Sequence, residues 1–340
     1  MASFKQTSYL SWVRRFREMA EKVVAHYPIK TESIDLIKYN ANAIFKVTDT
    51  QKKKYILRIH PYGYHTEQAI LEEIKWLHHI TNTTDLLVPK PMRTIAGGYL
   101  VEEKHPTIPT ARFCDLFEWR PGKVLWKSID THYSYNLGSV MAQLQKNGKY
   151  LSIEYRKYWC VDGLIGTDRA KLYNVEQLTD VYPAEQKKII DARRLAYHVL
   201  KSYEKLHKER SGLIHNDLQP NNFIYHQGSY AVIDFDDCGI GLYGDDLSVA
   251  LFAFEYLVEG ENRRDFSILK DALFNGYSEH MPLPQEEIDL MPYFLLARKL
   301  NSISWLELRK KDNPKLDIYH REAVLRAIQF FEYLTSTSDN

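Results

Sequence analysis

Cysteine is scarce in this chain of 340 residues: Cys114, Cys160 and Cys238 are three in number and lie far apart. An odd, scattered set excludes a disulfide framework and a closed thiolate metal site, and it points to a reducing compartment. An excess of one charge sign is also missing. Lys+Arg 45 against Asp+Glu 44 leaves a formal net charge of +1, so no overall field draws the protein to nucleic acid or an anionic membrane. Long apolar runs are absent. The best candidate, Val249 to Val258, is short and interrupted by Glu255, against the roughly 20 residues that cross a bilayer. Met1 to Leu10 hold no sustained apolar stretch and charged residues follow, so no signal peptide is read and the expected location is cytoplasmic. No internal repeat or low-complexity segment interrupts the chain.

What is present is a folding composition, 44% hydrophobic over a length that allows two cores. One stretch concentrates the chemistry. Residues 213–237 read LIHNDLQPNNFIYHQGSYAVIDFDD. The turn from His215 to Asn222 contains Pro220, which cannot continue a helix, and Asn and Asp side chains suited to irregular backbone. Phe223 to Tyr225 and Tyr230 to Ile233, joined through Gln227-Gly228-Ser229, read as a hairpin that returns Asp234 to the loop. Moving a nucleotide γ-phosphoryl group requires Mg²⁺ against developing charge and a carboxylate to orient and deprotonate the attacking hydroxyl. Asp217 is the candidate base, and Asn222 and Asp234 supply the hard oxygen ligands Mg²⁺ prefers. His215 is expected to brace the loop. Asp236 and Asp237 add two carboxylates, read either as Asp236 near the metal and Asp237 near the substrate or as a solvated loop.

The pattern H-x-D-x-x-x-x-N followed by IDFDD resembles the protein-kinase catalytic loop and metal motif. With Pro220 and Asn222 closing the loop and no APE-like segment, it is similar to the aminoglycoside phosphotransferase and choline kinase family. The run LRIHPYGYHTEQAILEEIKWLHHI, residues 57–80, also resembles bacterial members. The resemblance implies an α+β, two-lobed protein-kinase-like fold: an N-terminal antiparallel sheet lobe over residues 1–118 and a mainly helical C-terminal catalytic and substrate lobe over 119–340. It also implies ATP and Mg²⁺ as cofactors and a small-molecule hydroxyl acceptor as partner.

The periodicity of the first part fits that lobe. An amphipathic helix spans Ser8 to His26, and strands follow at Ser33 to Ile37, Ala43 to Val47 and Lys54 to Ile59. The next helix runs from Thr66 to Ile80, and two further strands at Gly98 to Glu103 and Ala111 to Glu118 complete a sheet. By resemblance the first hairpin covers the nucleotide phosphates. Its usual glycines are missing, and Asn40 and Asn42 are expected in their place, because Asn tolerates left-handed backbone and its amide donates to phosphate; an ordinary polar turn is the alternative. Arg58 stands where the family more often has a phosphate-binding lysine, and a guanidinium grips phosphate bidentately. Glu73, in the apolar sector of Ile70, Ile74, Trp76 and Leu77, is its expected ion-pair partner. Glu118 and Arg120 fall at the hinge, where their backbone would meet adenine.

Helices dominate beyond the hinge, at Tyr133 to Lys146, Asp191 to His207, Ser248 to Val258, Asp265 to Ser278, Glu286 to Arg309 and Tyr319 to Leu334. Asp246 is expected to cap the third of these or brace the catalytic loop. The activity expected is ATP- and Mg²⁺-dependent phosphorylation of a hydroxyl on a small, amine-containing molecule such as an aminoglycoside, choline or homoserine. The alternatives are a nucleotide-binding pseudokinase with a regulatory role and a Ser/Thr protein kinase on the same scaffold.

Overall fold

The computed structural model describes residues 9–126, 129–166, 178, 181–258, 263–310 and 316–338, and the chain divides into two compact units, Met1–Pro121 and Gly122–Asn340. In the first, helix α1 (Tyr9–Val24) precedes strands β1 (Thr31–Tyr39), β2 (Ala43–Asp49) and β3 (Lys54–Ile59). Helix α2 (Glu67–Thr83), β4 (Leu100–Glu103) and β5 (Arg112–Glu118) follow. The five strands form one antiparallel sheet in the order β1-β2-β3-β5-β4. Alternation puts Phe45, Val47, Leu57 and Ile59 into the core, where they join Met19, Ala20 and Val23 of α1. Thr66 caps α2, its hydroxyl accepting the Ala69 N–H at 3.2 Å.

The second unit contains β6 (Lys123–Val124), α3 (Thr131–Gly148), β7 (Lys157–Trp159), α4 (Val161–Leu164), α5 (Pro183–Leu206), β8 (Ser211–Ile214), β9 (Phe223–His226) and β10 (Ser229–Val232). Then come β11 (Gly239–Leu242), α6 (Tyr243–Leu257), α7 (Arg263–Ser278), α8 (Gln285–Asp289), α9 (Met291–Lys310) and α10 (Asp317–Ser338). The expected β9–β10 hairpin is present. Its turn puts Gln227 and Gly228 at φ 47° and 85°, the two left-handed positions of the turn that matches strand twist. Two features were not read from the sequence: β6 pairs with β9, and β7, β11 and β8 form a second small sheet. Strands of two to four residues are too short to show a period of two.

Helix α6 is buried along nearly its whole length, as a central helix must be. It begins at Tyr243, five residues before the expected Ser248, so Asp245 and Asp246 lie in its first turn. The helix expected from Glu286 to Arg309 is two helices, α8 and α9, with Pro292 admitted only in the first turn of the second. Helices α3 and α7 approach backbone to backbone: a Cβ on Gly276 would lie 1.9 Å from the Tyr135 carbonyl oxygen. No described helix is long and apolar enough to cross a membrane.

Candidate active site

Strand β8 delivers the chain to His215, and the loop after it is held from below by α6. Asn216 takes left-handed backbone, φ 61°, which Asn tolerates. The Asp246 carboxylate accepts the N–H groups of His215 at 3.1 Å and Asn216 at 2.6 Å, and the Gln145 amide at 3.1 Å. Tyr277 donates its hydroxyl to Gln145 at 2.5 Å, tying the brace to α7. Burial pushes the Asp246 carboxyl above its ordinary range against the pull of these donors. Asp246 therefore braces the loop from inside the helix rather than capping it.

Asp217 follows with its two carboxylate oxygens held differently. Oδ2 accepts the Asn222 amide at 2.7 Å, and Oδ1 accepts the Gln219 amide at 3.0 Å and faces Arg298 Nη2 at 3.6 Å. A one-turn 3₁₀ helix, Pro220–Asn222, makes the Asn222 contact possible, with Pro at its first position. Burial pushes the Asp217 carboxyl up to about 7; Arg298 opposes this, and Asp237 and Asp234 add to it. Because the Asn222 NH₂ also donates to the Asp217 carbonyl at 2.8 Å, its Oδ1 is the end left to face a cation.

His215 is wholly buried and lies against Phe235 with the rings tilted, centroids 4.5 Å apart. Nε2 lies 3.2 Å from the Ile233 carbonyl, and Nδ1 accepts the Asp217 N–H at 3.3 Å. Only the neutral tautomer with its proton on Nε2 satisfies both contacts. Burial accordingly lowers its pKa from 6.5 to about 4. The unfolded chain thus binds the proton more readily, so this contribution is complete above pH 6.5 and is lost as pH falls towards 4. In His215→Gln, acid should cost up to about 3 kcal/mol less unfolding free energy than in the parent. Urea midpoints compared pair by pair from pH 7 to 4 read this difference, since Asp217 and Asp245, whose raised pKa values act with the opposite sign, are common to both proteins. Equal slopes would refute the tautomer.

The hairpin brings Asp234 back, and the Ile233 N–H donates to the Asn222 carbonyl at 2.9 Å. Asp234 is exposed and left-handed, φ 65°. After it the chain is clamped by Arg156, 2% exposed, which donates to the carbonyls of Phe235, Asp236 and Cys238. Trp159 Nε1 donates to the Asp237 carbonyl at 2.7 Å. Asp236 is buried and Asp237 partly so. The cation beside Asp237 is internal: Lys157 Nζ lies 3.6 Å away, its pKa brought down to about 8 by burial against the pull of Asp237 and Asp236.

In the first unit, Arg58 pairs with Glu73 as expected, at 3.0 and 3.1 Å. The sequence did not disclose Asp115, directly opposite Arg58 on β5, which takes Nε at 3.0 Å and Nη2 at 2.7 Å. His60 adds a contact to Asp115 at 3.2 Å. Burial would raise the Asp115 carboxyl, but Arg58 and His60 hold it below the ordinary range. Four guanidinium N–H contacts thus go to two carboxylates, and Arg58 is 4% exposed. The bidentate phosphate grip expected of it is incompatible with this arrangement. Asn42 lies in the β1–β2 turn, but neither Asn40 nor Asn42 takes left-handed backbone. That conformation occurs instead at Asn216 and Asp234. The Glu118 N–H donates to the Lys90 carbonyl at 2.9 Å and the Trp119 N–H to the Lys54 carbonyl at 3.1 Å, which leaves the Glu118 carbonyl and the Arg120 N–H for any ligand edge. The Arg120 side chain turns to the Val88 carbonyl, 2.5 Å away.

The second unit therefore brings Asp217, Asn222, Asp234, Asp236 and Asp237 into one loop cluster, and the first pairs Arg58 with Glu73, while Asn42 lies in the β1–β2 turn and Glu118 and Arg120 at and just beyond the end of β5. Arg298, Arg156 and Lys157 were missed. The only sequence signal for Arg298 was a pair of basic residues, Arg298-Lys299, inside an apolar helix. Among the described residues no three His, Cys, Asp or Glu side chains gather as a metal cage. The Asn222 amide oxygen and the Asp234 carboxylate are a sparse hard-oxygen set, which suits a Mg²⁺ ion that keeps its waters and binds phosphates.

Residues 38–283 match the model of the phosphotransferase enzyme family. Amicoumacin kinase of Bacillus subtilis (strain 168) is 24% identical over 278 residues, 79% of either chain. Among solved structures, a microcompartment-associated aminopropanol kinase superposes with a TM-score of 0.76 at 24% identity, covering 94% of this chain and 98% of that one. An amicoumacin kinase in complex with AMP-PNP, Ca²⁺ and Ami gives 0.75 at 19% identity, covering 95% and 96%. The α+β fold is thus that of the small-molecule kinases.

Proposed function

Because the chain belongs to the phosphotransferase enzyme family, we propose that it transfers the γ-phosphoryl group of ATP to a hydroxyl of a small, amine-containing molecule with Mg²⁺ bound. The observation that carries this reading is the Asp217 carboxylate, oriented by Asn222 through one oxygen and by Gln219 through the other, which also faces Arg298. An acceptor hydroxyl hydrogen-bonded to Asp217 gives up its proton there as its oxygen attacks the γ-phosphorus and ADP leaves. Desolvation strengthens Asp217 as a base once ionised, and Arg298 and Asn222 favour the ionised form. Asn222 Oδ1 and Asp234 are the proposed holders of Mg²⁺, which supplies neutralisation of phosphate charge.

The nucleotide assignments follow the same reading. Arg58 fixes the geometry of its strand through Glu73 and Asp115, and it has at most one N–H for a phosphate. Asn42 is proposed at the phosphates, and the Glu118 carbonyl and Arg120 N–H at the adenine edge. Asp236 and Asp237 are proposed to shape the loop beside the metal through Arg156, Trp159 and Lys157.

The relatives named for amicoumacin and aminopropanol support a small acceptor bearing an amine. The test is Mg²⁺-dependent ADP release from ATP with a panel of amino alcohols, aminoglycosides and a generic protein acceptor. Turnover stimulated by a small hydroxyl compound is the expected result. Labelling of protein alone, or ATP binding without turnover on any acceptor, would overturn it.

A further inference from the structure

Asn216, the residue immediately before Asp217, stands in left-handed backbone at φ 61°, a conformation that persists outside glycine only where the surroundings enforce it. Two elements enforce it here. The residue is buried, and its amide NH₂ donates to Asp245 Oδ2 at 3.0 Å while its oxygen accepts from Trp159 Nε1 at 3.2 Å. The opposite orientation of the amide would leave its oxygen one long contact, Arg298 Nη1 at 3.4 Å, and would set that oxygen against the Asp245 carboxylate. The Asn216 backbone N–H goes to Asp246. Helix α6 thus holds the main chain of Asn216 through one aspartate and its side chain through the adjacent one.

Each holder is itself fixed. Asp245 is wholly buried in the first turn of α6, and its Oδ1 accepts the Ser248 hydroxyl at 3.3 Å. Burial pushes its carboxyl up to about 7; Arg298 opposes this and Asp246 adds to it. Arg298 acts in the same sense on Asp217 and Asp246, so one guanidinium from α9 serves the carboxylates that surround Asn216. Trp159, at the end of β7, donates from the same Nε1 to the Asp237 carbonyl at 2.7 Å. One indole N–H therefore joins the turn that carries Asp217 to the loop that follows Asp234.

We infer, resting on the phosphotransfer reading, that Asn216 is a positioning residue: its side chain, gripped by Asp245 and Trp159, fixes the direction in which Asp217 leaves the backbone and so aims the carboxylate at the acceptor hydroxyl. The hydrogen bonds of the Asp217 carboxylate go to Gln219 and Asn222, both within its own turn. Its placement against α6 is therefore inherited from His215 and Asn216. The residue type matters as much as the conformation. Glycine reaches the left-handed region but offers neither side-chain bond, and aspartate reaches it but would set a second carboxylate against Asp245.

Asn216→Gly and Asn216→Asp both tolerate left-handed backbone, so comparing them with the parent isolates the side chain. In the full chain, ADP release with the acceptor the parent uses should show kcat lowered roughly 10- to 100-fold in Asn216→Gly and further in Asn216→Asp, with KM for ATP unchanged. Added to Asp217→Asn, the glycine substitution should cost less than about 2-fold, because the carboxylate it acts through is already gone. Parent kcat in Asn216→Gly, a change confined to KM for ATP, or the same loss with and without Asp217 would each overturn the inference. Should Asn216→Asp not fold, the glycine variant decides alone. Hydrogen exchange of peptides over 213–222 reads the grip without turnover: it should quicken in Asn216→Gly, and exchange at the parent rate would overturn the inference too. Absence of ADP release from the parent on every acceptor would instead overturn the phosphotransfer reading, and exchange would then decide whether Asn216 holds the loop.

Discussion

Asp217→Asn lowers kcat by about 10²–10⁴-fold, the range associated with losing a positioned general base, while nucleotide affinity stays at the parent value. The substitution is nearly isosteric and keeps an oxygen for the Asn222 amide, which approaches Oδ2 at 2.7 Å. The loop also keeps its shape, because its backbone is anchored elsewhere: the N–H groups of His215 and Asn216 donate to Asp246, and that of Asp217 to His215. A loss in kcat with KM for ATP unchanged thus reports the missing proton acceptor and not a collapsed site. Steady-state ADP release with titrated ATP separates the two. Full activity in Asp217→Asn would remove the residue from the chemistry.

The second large effect is structural. Arg58→Met should destabilise the region around β3 and β5 by about 3–5 kcal/mol, the cost of leaving charges buried without their partner. Glu73 and Asp115 are each 1% exposed, and both depend on the same guanidinium. Shape cannot account for such a loss, since Met fills much of the arginine stem's volume. Adding Glu73→Gln to Arg58→Met should recover part of it, because one uncompensated charge is then removed. Hydrogen exchange of peptides from β3 and β5 reads the local stability. Unchanged protection in Arg58→Met would mean that the ion pairs carry no net stability in this fold.

Local pattern made much of this protein legible. The alternation in β2 and β3, the helical spacing in α1 and α2 and the turn chemistry at Gln227-Gly228 each operate over a few neighbouring residues, and each element appears where its pattern lies. The cluster from Asp217 to Asp237 was legible for the same reason: Asp217, Asn222 and the returning Asp234 are joined by a short turn and a hairpin that the residue types themselves specify.

Failures came where the signal was shorter than a period or longer than a turn. Strands β6, β7, β8 and β11 hold two to four residues each, too few to alternate visibly. Asp115 lies 57 positions from Arg58 and Arg298 lies 82 positions from Asn216, with nothing local to connect them. The glycine-free hairpin misled in another way, since Asn permits left-handed backbone without requiring it, and the strain the sequence allowed at Asn42 is found at Asn216 and Asp234 instead.

The sequence by itself determined most of the longer elements and the loop that gathers Asp217, Asn222 and Asp234, because secondary structure and tight turns answer to neighbours a few residues apart. Only the tertiary structure decided which charges are partnered: that Arg58 serves two carboxylates, that Lys157 faces Asp237, that Asp246 holds the loop, and that Arg298 stands beside Asp217. The physical reason is that a carboxylate's environment depends on burial and on every charge within a few ångströms, and chain distance says almost nothing about either.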